Sequence, residues 1–149
     1  MESLPLNSIL VVCTGNICRS PIAERFLRQG LPNMKIDSAG TGALIGHEAD
    51  ESAVKIAAFH GLSLDGHKGQ QFTSSLGRHY DLILVMEKKH LEQISQISPE
   101  ARGKTMLFGH WLGSRDIPDP YHKSEEAFSS VYQLIEQSGL RWIEKIGAK

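Results

Sequence analysis

Ile9-Leu10-Val11-Val12-Cys13-Thr14-Gly15-Asn16-Ile17-Cys18-Arg19-Ser20-Pro21 is the stretch on which the reading of this chain turns. Ile9 to Val12 is a continuous apolar run rich in β-branched residues. That pattern suits a strand buried on both faces of a parallel sheet. Cys13 falls at its carboxyl end, where open α/β sheets place their ligands. Gly15 and Asn16 tolerate backbone angles that most residues avoid. Ser20 suits a helix cap and Pro21 the first helical position. Five residues separate Cys13 from Arg19. A loop of that length can wrap one tetrahedral dianion. The thiolate lies below it, the guanidinium beside it, and the backbone N–H groups of Thr14, Gly15, Asn16, Ile17, Cys18, Arg19 and Ser20 around it.

The same field acts on Cys13. A thiol near an arginine, a helix N-terminus and fixed N–H donors is expected to ionise well below about 8.5 and to be a ready nucleophile. Arg19 can bind two phosphoryl oxygens at once, which a lysine cannot match. A lone cysteine at a strand end reads more simply as inert packing. Gly15, Asn16, Arg19, Ser20 and Pro21 together move the reading to phosphoryl transfer through a phosphocysteine.

The expected elements run outward from this loop. Strand 1 covers 8–12, helix 1 covers 21–29 and strand 2 covers 35–38, with a loop over 39–49. Helix 2 covers 50–60, with Ala53, Ile56, Ala57 and His60 on one face. A short helix covers 74–79, strand 3 covers 81–86, helix 3 covers 88–97 and strand 4 covers 104–108. The last helix covers 124–146 and carries Phe128, Val131, Leu134, Ile135, Trp142 and Ile146 at helical spacing. Strands that alternate with helices predict an α/β fold. The expectation is a single three-layer domain over 1–149, a four-stranded parallel twisted sheet with helices on both faces.

The chain has 149 residues, enough for one domain and short for two. Its 16 basic and 17 acidic residues give a net charge of -1, with no footprint for nucleic acid. No segment is apolar enough for membrane insertion, and Met1–Ser8 lacks the features of a signal peptide. A cytoplasmic protein is the expectation. Its two cysteines then point to chemistry rather than to a disulfide scaffold. His60, His67, His79, His90 and His110 show no ligand spacing with Cys or acid, so neither a metal nor a cofactor is expected.

A phosphate ester also needs a proton for its leaving oxygen. Asp119, between Pro118 and Pro120, is the candidate acid. The prolines stiffen the loop and remove N–H donors that would hold the carboxyl ionised. A bound dianion nearby favours its protonated form. Asp116 is the competing acid, and an ordinary turn the competing reading.

Cys13 through Pro21 near one end, with Asp119-Pro120-Tyr121 near the other, resembles a low-molecular-weight protein-tyrosine phosphatase. The resemblance extends to Asp37-Ser38-Ala39-Gly40, to Tyr80-Asp81-Leu82-Ile83 and to Met86. Phe108-Gly109-His110-Trp111 followed by Ile117-Pro118-Asp119-Pro120-Tyr121 is similar to the bacterial branch associated with exopolysaccharide export. The resemblance implies Cys13 as nucleophile, Arg19 as clamp and Asp119 as general acid. It implies that Ser20 bonds the thiolate, and that Asn16 holds the loop through Ser20, Ser38 and His67. Tyr121 becomes one wall of the substrate slot, and Leu44 or Ile45 another. The implied partner is a phosphotyrosine protein, the tyrosine-rich tail of a bacterial membrane tyrosine autokinase, and the enzyme is expected to be a monomer.

Three positions depart from the family pattern. Ala43-Leu44-Ile45 replaces an aromatic wall, Gly69-Gln70 replaces an Ala-Arg pair, and His122 follows Tyr121 in place of a second tyrosine. Cys18 reads either as a thiol that traps oxidised Cys13 as a disulfide or as packing behind the loop. Trp111 reads either as core or as a docking surface. Two other functions fit the loop. A thiol-dependent arsenate reductase would need cysteines beyond Cys18, and the chain has none. A non-catalytic phosphotyrosine-binding module would be expected to lose its nucleophile or acid, and both are present.

Overall fold

The computed structural model describes residues 6–147. The expectations for the extreme N-terminus, 1–5, and for the domain limits at 1 and 149 lie outside the described residues. Four parallel strands, β1 (Ser8–Cys13), β2 (Lys35–Gly40), β3 (Leu82–Val85) and β4 (Thr105–Leu107), form one sheet in the order β2-β1-β3-β4. The helices are α1 (Arg19–Gly30), α2 (Glu51–Phe59), α3 (Ser74–Gly77), α4 (Lys88–Ile97) and α5 (Glu125–Gly147). This is the four-stranded parallel α/β architecture expected from the alternation of apolar runs and amphipathic segments.

The alternation of side chains along each strand divides the core in two. Ile9, Val11, Ile36, Leu82 and Leu84 pack on one side with Ile22 and Leu27 of α1, Ala53 and Ala57 of α2, and Phe128, Ile135 and Trp142 of α5. Leu10, Val12, Ile83 and Val85 face the other way, against Ile94 of α4, Leu76 of α3 and Phe72. Both faces of the sheet are therefore covered, which explains why β1 and β3 read as unbroken apolar runs. The indole N–H of Trp142 donates to the Phe108 carbonyl at 2.8 Å and pins α5 to the end of β4.

Several boundaries shift for local reasons. β1 includes Cys13 because Cys13 still pairs with Gly40, and β2 lengthens to supply that partner. α1 starts at Arg19 rather than Pro21. Ser20 lies inside it and is not the cap, because its hydroxyl is engaged by Asn16 and Cys13. Lys104 leaves β4 for a 3-10 turn opened by Pro99, where its ammonium donates to the Gly77 and Tyr80 carbonyls. Asp50 and Ser124 sit just outside α2 and α5 and cap them, accepting backbone N–H groups of Ser52 and Ala127 at 3.0 and 3.2 Å. His60 lies at the exposed end of α2, where it stacks on Tyr132 at 4.1 Å instead of entering the core.

The strand order places the site. From β1 the chain passes by α1 to β2 on one side, then returns to β3 on the other side of β1. The carboxyl end of β1 is thus the point where the winding reverses, and Cys13 is its last residue.

Candidate active site

The loop from Cys13 to Cys18 closes over the N-terminus of α1, and a cleft of about 190 Å³ opens above it. Cys13, Thr14, Gly15, Ile17, Cys18, Arg19, Gly42, Leu44, Asp119 and Tyr121 line it. The Cys13 sulfur lies 2.9 Å from the Ser20 hydroxyl. Asn16, not Gly15, adopts the left-handed backbone, with φ 59°. Asparagine bears that conformation at lower cost than most residues. Gly40 is needed for a different reason, since a Cβ there would strike the Thr14 carbonyl oxygen.

Asn16 is held on every side. Its amide nitrogen donates to Ser20 Oγ at 2.8 Å and Ser38 Oγ at 3.0 Å. Its amide oxygen accepts the backbone N–H of Gln70 at 2.9 Å. Its carbonyl oxygen meets Nε2 of His67 at 2.6 Å. Ser38 passes the network on, donating to Glu24 Oε1 at 2.7 Å. Asn16, Ser20, Glu24, Ser38 and His67 are all buried. Burial lowers the His67 pKa from its ordinary value, so the imidazole stays neutral. Gln70 adds a second anchor through Nε2 on the Ser38 carbonyl. The Gly69-Gln70 departure therefore supplies a loop contact in its own way.

Arg19 is 1% exposed. Its Nη1 donates to the Ile117 carbonyl at 2.7 Å and pairs with the Glu87 carboxylate. These partners hold the guanidinium from behind. Next to them, the Glu87 backbone N–H donates to Nδ1 of His90 at 3.0 Å. Nε2 of the same ring lies 2.9 Å from the Thr14 hydroxyl. Burial, then the charge of Arg19, lowers the His90 pKa to about 4.

The opposite rim is more open. The Asp119 side chain is 44% exposed, with Oδ2 3.7 Å from Arg19 Nη2. The prolines do not strip it of every donor, because the Tyr121 N–H reaches Oδ1 at 3.0 Å. Asp116 faces elsewhere. Its Oδ1 accepts the backbone N–H of Lys88 at 2.9 Å at the start of α4. Of the proposed walls, Leu44 and Tyr121 line the cleft and Ile45 does not. Ile45 sits at the tip of a turn closed by His47 N–H on the Leu44 carbonyl, with Gly46 at φ 80°, and is 69% exposed. The turn thus projects its side chain away from the loop.

Cys18 is buried among apolar residues while also bordering the cleft. Burial pushes its thiol well up. Trp111 is neither buried core nor a free surface. It lies edge-on to Trp142 at 5.5 Å, with the Lys145 ammonium 4.6 Å from its ring centre. Glu24, Glu87 and the Thr14–His90 pair were not reached from the sequence, and Gln70 was reached only as a departure from the family pattern. The signal available for Glu87 and His90 was their position just after an apolar strand that ends beside β1.

The family described as low molecular weight phosphotyrosine protein phosphatase matches residues 8–149. A putative low molecular weight protein-tyrosine-phosphatase of Klebsiella pneumoniae is 69% identical over 142 residues, which are 95% of this chain and 99% of that protein. The low molecular weight protein-tyrosine-phosphatase Etp of Escherichia coli is 54% identical over 146 residues, 98% of this chain and 99% of that one. The solved structure of the tyrosine phosphatase Wzb from Escherichia coli in complex with sulphate superposes with a TM-score of 0.94. It is 68% identical and covers 95% of this chain and 99% of its own. The chain belongs to the low molecular weight phosphotyrosine protein phosphatase family.

Proposed function

We propose that this member of the family hydrolyses phosphotyrosine in proteins through a phosphocysteine intermediate. One observation carries the reading: Cys13, Arg19 and Asp119 converge on a single cleft at the carboxyl end of the central strand. Cys13 attacks phosphorus as a thiolate, with the Ser20 hydroxyl beside its sulfur. Arg19 and the loop N–H groups take the equatorial oxygens as charge redistributes over them. Asp119 gives its proton to the departing tyrosyl oxygen. Water then attacks the phosphocysteine, Asp119 takes the proton back, and inorganic phosphate leaves as the thiolate returns.

Leu44 and Tyr121 favour a long flat side chain that reaches the sulfur while its ring touches both walls. A phosphoserine would stop short or draw peptide backbone into an apolar slot, leaving polar groups unpaired. The resemblance of Phe108-Gly109-His110-Trp111 and Ile117-Pro118-Asp119-Pro120-Tyr121 to the exopolysaccharide-associated branch supports a cytoplasmic monomer. Its substrate is then the tyrosine-rich tail of a membrane autokinase. Among the described residues no helix is long and apolar enough to cross a membrane. The test is hydrolysis of p-nitrophenyl phosphate by wild type and by Cys13→Ser. It is followed by loss of phosphotyrosine from the phosphorylated kinase of the same cell. Turnover surviving Cys13→Ser overturns the mechanism, and a phosphotyrosine signal that persists while p-nitrophenyl phosphate is cleared overturns the kinase assignment.

The same cleft supports a redox role for Cys18. Peroxide converts Cys13 to a sulfenic acid, and the Cys18 thiol displaces water from it to form a disulfide. Dithiothreitol is expected to restore peroxide-treated wild type but not Cys18→Ser. A sulfinic Cys13 beside a reduced Cys18 in wild type, seen by mass spectrometry, rejects the role.

A further inference from the structure

We propose that the Thr14 hydroxyl is an additional donor to the transferred phosphoryl group, and that the buried His90 is the positioning residue that aims it. The proposal rests on the phosphatase reading of the cleft. The hydrogen bonds fix the proton inventory. The Glu87 N–H donates to Nδ1 of His90, so that nitrogen carries a lone pair and no proton. A neutral imidazole then bears its proton on Nε2, 2.9 Å from Thr14 Oγ1. The ring donates and the hydroxyl accepts.

The hydroxyl keeps its own proton for something else. Among the described residues Oγ1 has no further hydrogen-bond partner. Thr14 follows the nucleophile directly and borders the cleft. A donor fixed there meets a phosphoryl oxygen, and a hydrogen bond to a charged oxygen is stronger than one to a neutral acceptor. His90 is fully buried, so its ring cannot swing to solvent. The charges that act on it are those of Arg19, Lys89, Asp116 and Asp119, and the Glu87 carboxylate accepts the backbone N–H of His90 itself. Burial and Arg19 keep the ring neutral, and only the neutral ring accepts from Glu87 while donating to Thr14. The same residue, Glu87, holds Arg19 by its carboxylate and His90 by its backbone. The guanidinium clamp and the Thr14 donor are thus set by one support.

A merely structural role is the competing account, with Thr14 doing no more than satisfying a buried ring N–H. Two readouts separate them. One is steady-state hydrolysis of p-nitrophenyl phosphate. The other is protection of Cys13 from iodoacetate by inorganic phosphate, which needs no turnover. Thr14→Val is expected to lower kcat/KM about ten- to a hundred-fold and to weaken phosphate protection about ten-fold. Thr14→Ser is expected to recover most of both losses. His90→Asn keeps an acceptor near Nδ1 but removes the donor to Thr14, while His90→Gln keeps a donor. The first is expected to lose several-fold more than the second. In a Thr14→Val background His90→Asn is expected to cost less than about two-fold, because its effect runs through Thr14.

Thr14→Val within two-fold of wild type in both assays overturns the donor. Equal losses from His90→Asn in both backgrounds overturn the aiming role. If His90→Asn does not fold, as judged by circular dichroism, His90→Gln decides, and a loss as large as that of Thr14→Val overturns the aiming role. A folded wild type that binds phosphate but turns over nothing defeats the phosphatase reading. Phosphate protection still decides on Thr14.

Discussion

The support behind Asn16 and the rim that carries Asp119 border one cleft and are built in opposite ways. The support is sealed. Asn16, Ser20, Glu24, Ser38 and His67 are buried, and each bonds to at least one other of the five. The rim is half open. The 44% exposed Asp119 side chain keeps one backbone contact, from Tyr121, and a distant pairing with Arg19. The difference suits the role proposed for each side. Donors that surround a phosphoryl group act without reorganising only if they are fixed in advance. An acid that serves a leaving group and then water must stay accessible to both.

That contrast predicts a separation of rate from stability. The largest effect belongs to the rim. Asp119→Asn is expected to lower kcat for phenyl phosphate by about two to four orders of magnitude while leaving the unfolding midpoint nearly unchanged. A leaving group that departs well unprotonated should suffer far less. Equal losses for good and poor leaving groups would make Asp119 structural and break the comparison.

The support should lose both properties together. Asn16→Ala takes the side-chain amide away from the Gln70 N–H and from the Ser20 and Ser38 hydroxyls, and puts a residue that tolerates φ 59° less well in its place. The expected costs are about 2–4 kcal/mol of stability and roughly a hundred-fold in kcat/KM. Urea unfolding and p-nitrophenyl phosphate kinetics measure them side by side. A variant that lost activity at full stability would show that the support acts on chemistry alone.

A third effect is confined to the two buried imidazoles. The pKa of His90 is held at about 4 and that of His67 is lowered from 6.5, so both are depressed in the folded state. Between about 6.5 and 4 the unfolded chain binds protons that the folded chain refuses. Stability from these rings is complete above 6.5 and is lost as pH falls toward 4, by about 3 kcal/mol for His90 alone. Urea midpoints across that window, compared between wild type and His90→Gln, isolate the share of His90. An identical slope in the variant would remove His90 from the account.

The smallest effect is at the walls. Leu44→Ala is expected to raise KM for aryl phosphates by a few-fold and to change kcat little, because the ring contact is made in ground and transition states alike. A fall in kcat with KM unchanged would make Leu44 part of the positioning of the reacting group.

How far the site could be read from the sequence tracks the distance over which its parts interact. The loop from Cys13 to Arg19 is local, so its residue types at a fixed spacing already specify an anion cradle. Asp119 could be proposed from its chemistry, but only the fold separated it from Asp116. That residue turns to Lys88 at the head of α4. Ile45 and Leu44 are adjacent and both apolar, and the turn at Gly46 decides which of them lines the cleft. Ser20 read as a helix cap from its place before Pro21, whereas its hydroxyl is held by Asn16 and Cys13.

By itself the sequence determined the alternation of strands and helices, the parallel sheet, and the loop that joins Cys13 to Arg19. Periodicity and short spacings are properties of neighbours along the chain. The tertiary structure decided the rest. Arg19 meets Glu87, Asn16 meets Gln70 and Thr14 meets His90 across 68, 54 and 76 positions of sequence. Glutamate, glutamine and histidine carry no local mark of such a role. Glu87 and His90 acquire it only when the winding of the sheet brings β3 beside β1 and packs the loop after β3 against the loop after β1, and Gln70 acquires it where its carbonyl takes the Gly40 N–H at the end of β2; burial then makes each donor and acceptor seek the other.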